Sequence, residues 1–213
     1  MSPRPAPLQS DAASPAAVLV PVKAFHRAKR RLASAVAADE RSRLAEAMAT
    51  HVVRMAAPLP VTVVCDDPTV RAWAEAEGAA VVWCPGTGLN GAVARGVATL
   101  AVRGYRQVVV VHGDLPLAAG LHDVVGWPGV TLVPDIRRDG TNVCAVPTGA
   151  GFRFAYGPGS FRRHCEEAQR LGLELRELDI PGLRADVDHP ADLENLAQLG
   201  PLAHIDQLGP SGK

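Results

Sequence analysis

A chain of 213 residues is long enough for one α/β domain with a substantial core. Its 22 Lys and Arg balance its 22 Asp and Glu, so no global charge draws it to nucleic acid or to a membrane surface. The four cysteines, Cys65, Cys84, Cys144 and Cys165, form no C-x-x-C pair, which points to buried reduced thiols in a cytoplasmic protein rather than a zinc site or a disulfide framework.

Met1 to Pro15 is rich in Pro, Ser and Ala and lacks the apolar core of a signal peptide. Residues 1–15 and 201–213 are expected to be disordered tails around one domain spanning 16–200. No stretch approaches a membrane span. Ala17 to Val22 is a short apolar strand, central in a sheet. Lys23 to Leu32 follows it, with five Lys and Arg within nine positions. A basic loop leading from a strand end into a helix suits a polyphosphate; a solvated basic face is the alternative. Asp39 to Ala57 has apolar residues at helical spacing, Val61 to Cys65 is a second strand, and Asp66-Asp67-Pro68 starts a helix through Glu77. Both aspartates read there as helix caps. Ala79 to Trp83 is a third strand.

Gly86-Thr87-Gly88-Leu89-Asn90-Gly91 is formally G-x-G-x-x-G. It follows the third strand rather than the first, which weighs against a nicotinamide-dinucleotide fingerprint and an oxidoreductase. A nucleotide loop with Asn90 reading a base edge and a plain turn are the other readings. A helix over 92–102 precedes Val108 to Val111, four valines that read as a strand buried on both sides. His112-Gly113-Asp114 then delivers a carboxylate to the sheet's carboxyl edge, where ligands of open α/β sheets bind. Asp114 is there a metal or ribose ligand, or else a helix cap.

Val130 to Val133 and Val143 to Val146 are strands joined by the polar turn Asp135 to Asn142, read here as a substrate loop in preference to a hairpin. Gly157-Pro158-Gly159-Ser160 enters a helix to about Leu171 and offers amides and a hydroxyl to an anion, with Ser160 as N-cap. His164 reads as a helix-surface residue. Glu174 to Leu178 is a last strand, and Asp192 to Leu199 closes the domain as a helix. In extended backbone Asp186 and Asp188 point to one side, so with Asp114 they form a magnesium constellation. No basic partner for the three carboxylates is evident in the sequence.

Pro21-Val22-Lys23, Ala28 to Leu32, Gly88-Leu89-Asn90, Gly113 to Leu117, Asp139 to Asn142, Phe152 to Ser160 and Asp186-Val187-Asp188 occur in this order. Together they resemble the phospholactate/phosphoenolpyruvate guanylyltransferases of deazaflavin coenzyme (F-420) biosynthesis, over roughly Val18 to Leu196. His112 and Arg30 depart from the small residues usual at those places. The resemblance implies a single-domain nucleotidyltransferase fold of glycosyltransferase-A type, a mainly parallel sheet with helices on both faces. It implies GTP, Mg2+ and a small phosphorylated three-carbon acid, either phosphoenolpyruvate or 2-phospho-L-lactate. By motif, Lys23, Lys29 and Arg31 would face the triphosphate, Gly88 would also contact the nucleotide, and Asn90 would sit near the guanine. Asp114, Asp186 and Asp188 would hold magnesium, and Thr141, Gly157 and Ser160 would bind the acceptor. Lys23 and Asp114 would act on the reacting phosphates. Another sugar- or cofactor-type nucleotidyltransferase, or a non-catalytic nucleotide-binding module, is the competing reading.

Overall fold

A computed structural model describes residues 16–199; the two expected tails lie outside them. Seven strands form one sheet in the order β3-β2-β1-β4-β6-β5-β7. They are β1 (Ala16–Pro21), β2 (Val61–Cys65), β3 (Ala80–Trp83), β4 (Gln107–Val111), β5 (Val130–Pro134), β6 (Thr141–Pro147) and β7 (Leu175–Glu177). β1 pairs in parallel with both β2 and β4, whereas β6 runs antiparallel to β4 and β5. Every residue of β4 is buried, as a valine run in mid-sheet requires.

Alternate strand residues feed two cores. Val18, Val20, Val109 and Val111 pack under α1 (Ala38–Met55) and α2 (Pro68–Ala76). Ala17, Leu19, Val108 and Val110 pack under α3 (Gly88–Val102) and α4 (Ser160–Arg170) on the opposite face. The period of two along each strand therefore decides which helix each valine meets. Gly96 lets α3 close on the sheet: a Cβ there would stand 2.7 Å from Leu19 and 2.8 Å from Val64.

Several boundaries move from the expected ones. α3 begins at Gly88, so Asn90 sits in its first turn and not in a loop. The stretch expected to be extended from Leu183 starts with a short helix, α5 (Pro181–Arg184), and only 185–188 run without regular structure before α6 (Pro190–Leu199). Among the described residues no helix is long and apolar enough to cross a membrane.

Because the chain leaves β1 first toward β2 and later returns to pair β4 on β1's other side, the strand order reverses between β1 and β4. A crevice opens at the carboxyl ends of strands around such a reversal.

Candidate active site

The basic segment after β1 does not form one smooth loop. It makes two single 3-10 turns, Phe25–Arg27 and Arg30–Leu32, with Lys29 between them at φ +53°. A left-handed conformation is costly for a side-chain-bearing residue. Here it turns the Lys29 side chain inward, to 6% exposure. Its ammonium donates to Asp114 Oδ2 at 2.5 Å and to Asp188 Oδ1 at 3.1 Å, and Arg31 donates to Asp188 Oδ2 at 3.2 Å. The carboxylates thus do have a basic partner, contrary to the expectation from sequence. A buried lysine in a run of basic residues is indistinguishable by composition from its solvated neighbours.

Both acids are placed by backbone. Asp114 stands three residues past the end of β4, and its carbonyl accepts Val187 N–H at 3.3 Å. Asp192 accepts the N–H groups of Asp188 and His189 at 2.9 and 2.7 Å. Beneath the charges Leu32, Met48 and Val187 form a small apolar nucleus that ties the basic segment to the acidic one. Val187 is fully buried, and of the two acids flanking it Asp188 lines the cleft while Asp186 meets the Asn142 amide.

The electrostatics follow from this packing. Burial alone would raise the Asp114 carboxyl, but the Lys29 ammonium overrides it and holds Asp114 below the usual carboxylate range. Burial would likewise depress Lys29, yet the two carboxylates raise it. Among the described residues Asp186 has no such partner. Burial and the neighbouring Asp114 charge push it up to about 6, and Asn142 holds it only through a 3.4 Å contact.

The donor set is all hard oxygen, and Asp114 Oδ1 is buried without a partner, so the residues fit a magnesium ion held by one or two carboxylates. Among the described residues no three Asp, Glu, His or Cys side chains are set to enclose one ion. Lys29 stands between Asp114 and Asp188, and Asp186 is turned to Asn142, so the expected three-carboxylate cage is not formed as such.

A cleft of about 300 Å³ opens over this cluster, lined by Lys23, Arg27, Lys29, His112, Asp114 and Asp188 among others. Lys23 and Arg27 also border a second cavity of about 170 Å³, which shares Pro21, Val22 and Leu89 with the first. Gly88 belongs to this second cavity and has φ +64°. Arg27 was not singled out from sequence. The Asn90 amide is engaged at both ends by Tyr156: its Oδ1 accepts the Tyr156 N–H at 2.7 Å and its Nδ2 donates to the Tyr156 carbonyl at 3.4 Å. His112 lies against the Tyr156 ring with Nε2 buried and unpartnered, and burial depresses its pKa.

None of the expected acceptor residues lines either cavity: Gly157 is exposed, and Thr141 and Ser160 are buried. Thr141 and Ser160 are each 2% exposed, and their hydroxyls approach to 3.5 Å. The helix start at Ser160 is also occupied: Asp139 takes Gly159 N–H with its carboxylate and Phe161 N–H with its carbonyl, and Gly157 takes Ser160 N–H. Gly159, not Ser160, is the N-cap residue, so neither the free-amide cradle nor the serine cap expected from sequence is present. The turn 135–140 is a hairpin connection after all. Asp135 closes it by accepting the N–H groups of Asp139 and Gly140, while Arg137 and Arg138 pair with Asp192 and Glu177. His164 is fully buried, not on the helix surface. Ala155 N–H donates to its Nε2 at 3.0 Å, so the neutral ring carries its proton on Nδ1 and donates it to Thr141 Oγ1 at 3.0 Å. Phe161, His164 and Ala168 form one buried stripe of α4, a spacing visible in the sequence had the histidine been counted as apolar.

Comparison with known proteins agrees with this geometry. Residues 16–204 match the family model described as "Guanylyl transferase CofC like". A phosphoenolpyruvate guanylyltransferase of Sphaerobacter thermophilus is 38% identical, covering 90% of this chain and 97% of its own. One from Thermomonospora curvata is 39% identical, covering 86% and 83%. A Desulfovibrio desulfuricans protein described as a nucleotide-diphospho-sugar transferase superposes with a TM-score of 0.73 at 17% identity, over 91% of this chain and 98% of that one. A 4-diphosphocytidyl-2C-methyl-D-erythritol synthase does so at 0.60 and 13%, over 87% and 99%. At such identities the two structures speak for the nucleotidyltransferase fold alone.

Proposed function

The chain belongs to the CofC-like guanylyltransferase family, and on that premise we propose that it moves GMP from GTP onto the phosphate of a small phosphorylated three-carbon acid, releasing pyrophosphate. Phosphoenolpyruvate is the favoured acceptor because the similar enzymes carry that name; 2-phospho-L-lactate is the alternative, both within deazaflavin coenzyme biosynthesis. The observation that carries the reading is the Lys29–Asp114–Asp188 cluster at the strand reversal between β1 and β4.

A phosphate monoester is already largely ionised at neutral pH, its second pKa being about 6, so the attacking oxygen needs no general base. The difficulty is alignment of two anions that repel each other, followed by stabilisation of the departing pyrophosphate. Lys23 and Arg27 border both cavities and Arg31 lies beside Asp188, so these cations flank a triphosphate laid along the cleft. Lys29, once its carboxylates are otherwise neutralised, is the buried ammonium nearest to them. Asp114 and Asp188, with Asp186 adjoining, would hold a magnesium ion, which supplies charge neutralisation at the phosphates. Neither His112 nor His164 is asked to move a proton. The acceptor's anionic groups are assigned to the Thr141, Gly157 and Ser160 side by the family resemblance, and the two hydroxyls there are buried.

The test is pyrophosphate release from GTP and Mg2+ with phosphoenolpyruvate, 2-phospho-L-lactate and a phosphoglycerate offered side by side, the guanylylated acid being identified by mass. Release is expected to be fastest with phosphoenolpyruvate. Silence with all three acids would overturn the reading.

A further inference from the structure

Building on the guanylyl reading above, we infer that Asp66 is the residue that selects guanine as the base of the donor nucleotide. The second cavity is the compartment left for a base when the phosphates lie among Lys23, Arg27 and Lys29. Val64 and Cys65 from β2, Cys84 after β3, and Leu89 and Ala92 from α3 give it apolar walls suited to a flat ring. At Gly88 nothing stands within 4 Å of where a Cβ would be, so a ligand has room against the backbone. One acid lines this cavity, and it is Asp66.

An exposed acid just before a helix is ordinarily a solvated one, or a cap. The capping role is already filled: Asp67 accepts Thr69 and Val70 N–H at 3.0 and 3.2 Å, at the N-cap of α2. The sequence reading of both aspartates as caps therefore holds for Asp67 only. Among the described residues the Asp66 carboxylate makes no hydrogen bond or ion pair. Its charge also bears on the cavity walls: burial pushes the Cys65 and Cys84 thiols up, and Asp66 adds to the rise in both.

Guanine presents N1–H and the N2 amine side by side as two donors. A carboxylate accepts both in parallel, the strong bidentate arrangement. Adenine offers a lone pair and a C–H on that edge, so its N1 would face a negative charge with nothing to donate. A site built to pair with a donor rejects an analogue lacking it far more strongly than an apolar pocket rejects a change of size. Asn90, expected from sequence near the guanine, does not line this cavity and has both ends of its amide on Tyr156.

The experiment measures donor preference among GTP, ITP, XTP and ATP in two ways. One is pyrophosphate release with phosphoenolpyruvate and Mg2+; the other is the rise in unfolding temperature caused by each nucleotide without acceptor. Wild type is expected to prefer GTP to ITP, which lacks the N2 amine, and to ATP. In Asp66→Asn, GTP use should fall at least about a hundredfold, while XTP should gain, because its 2-oxo group accepts from the new amide. In Asp66→Ala the GTP-to-ITP ratio should collapse toward unity. Asp66 is exposed and unpaired, so both variants should unfold like wild type without nucleotide. An unchanged GTP preference in the folded variants overturns the Asp66 assignment and leaves the guanylyl reading standing. A wild-type protein that neither turns over GTP nor is stabilised by it overturns both.

Discussion

Lys29 carries the charge balance of the cleft, and this changes what a substitution at Asp114 should do. With no basic partner, removing one of three crowded carboxylates would relieve repulsion and leave the fold intact or firmer. With Lys29 at 2.5 Å, Asp114→Asn instead takes the nearer counter-charge from a buried ammonium. A hydrogen bond to a charged group contributes about 1.5–3 kcal/mol, and the lower end applies because Asp188 remains. The variant should therefore unfold more easily than wild type without divalent cations, and lose at least about a hundredfold in turnover. Thermal unfolding beside pyrophosphate release separates the two effects. Near-normal turnover in a folded Asp114→Asn protein would remove Asp114 from the chemistry.

At the scale of elements, the seat of α3 controls the shape of the second cavity, because Gly88, Leu89 and Ala92 all belong to its first turns. Gly96 fixes how closely that helix lies on β1 and β2. Gly96→Ala gains up to about 1 kcal/mol in helix propensity. Overpacking against Leu19 and Val64, both buried, costs about 1–3 kcal/mol, so with the full propensity gain the net effect is a loss of up to about 2 kcal/mol. The helix should ride up, and the KM for GTP should rise while that for the acceptor hardly moves; equal changes in both would show that the seat of α3 does not shape the donor site. The strands and the seats of the helices were legible, since runs such as Val108 to Val111 admit few other conformations. What escaped were choices between chemically equal neighbours. Asp66 and Asp67 both precede Pro68, and only the proline's place at the first helical position makes Asp67 the cap. Lys29 is singled out from the basic residues around it by a positive φ, which no composition reveals. The polar turn 135–140 looked too rich for a hairpin because its partners, Asp192 and Glu177, lie far along the chain.

For the molecule as a whole, two buried groups make opposing contributions to stability against pH. His164 is held neutral by burial, its pKa lowered to about 4 from an ordinary 6.5. The unfolded chain binds that proton first, so this contribution is complete above about 6.5 and is lost as pH falls toward 4. Asp186, raised to about 6, works the other way: the folded state binds its proton first, and stability is gained as pH falls from 6 toward the unfolded value of 3.8. Wild type should consequently show a shallow profile across this window. His164→Gln abolishes the first contribution, so its stability deficit should shrink by up to about 1.4 kcal/mol per pH unit on going from 6.5 to 4. Urea unfolding at a series of pH values measures the deficit; one that stays constant would show that His164 does not titrate with folding.

The hydrogen bond from Val187 N–H to the Asp114 carbonyl joins two segments between which the chain builds three more strands and two helices, α4 and α5. It makes the main chain a ruler for the carboxylates, so their separation is inherited from peptide geometry and not from any side-chain packing along the way. Length and path between the two points are then free to drift, and a loop lengthened in that interval, outside 139–160, need not be felt at the two carboxylates. Arm length is the variable the ruler does not forgive: Glu in place of Asp at 114 or 188 keeps the charge but carries it one methylene past the mark.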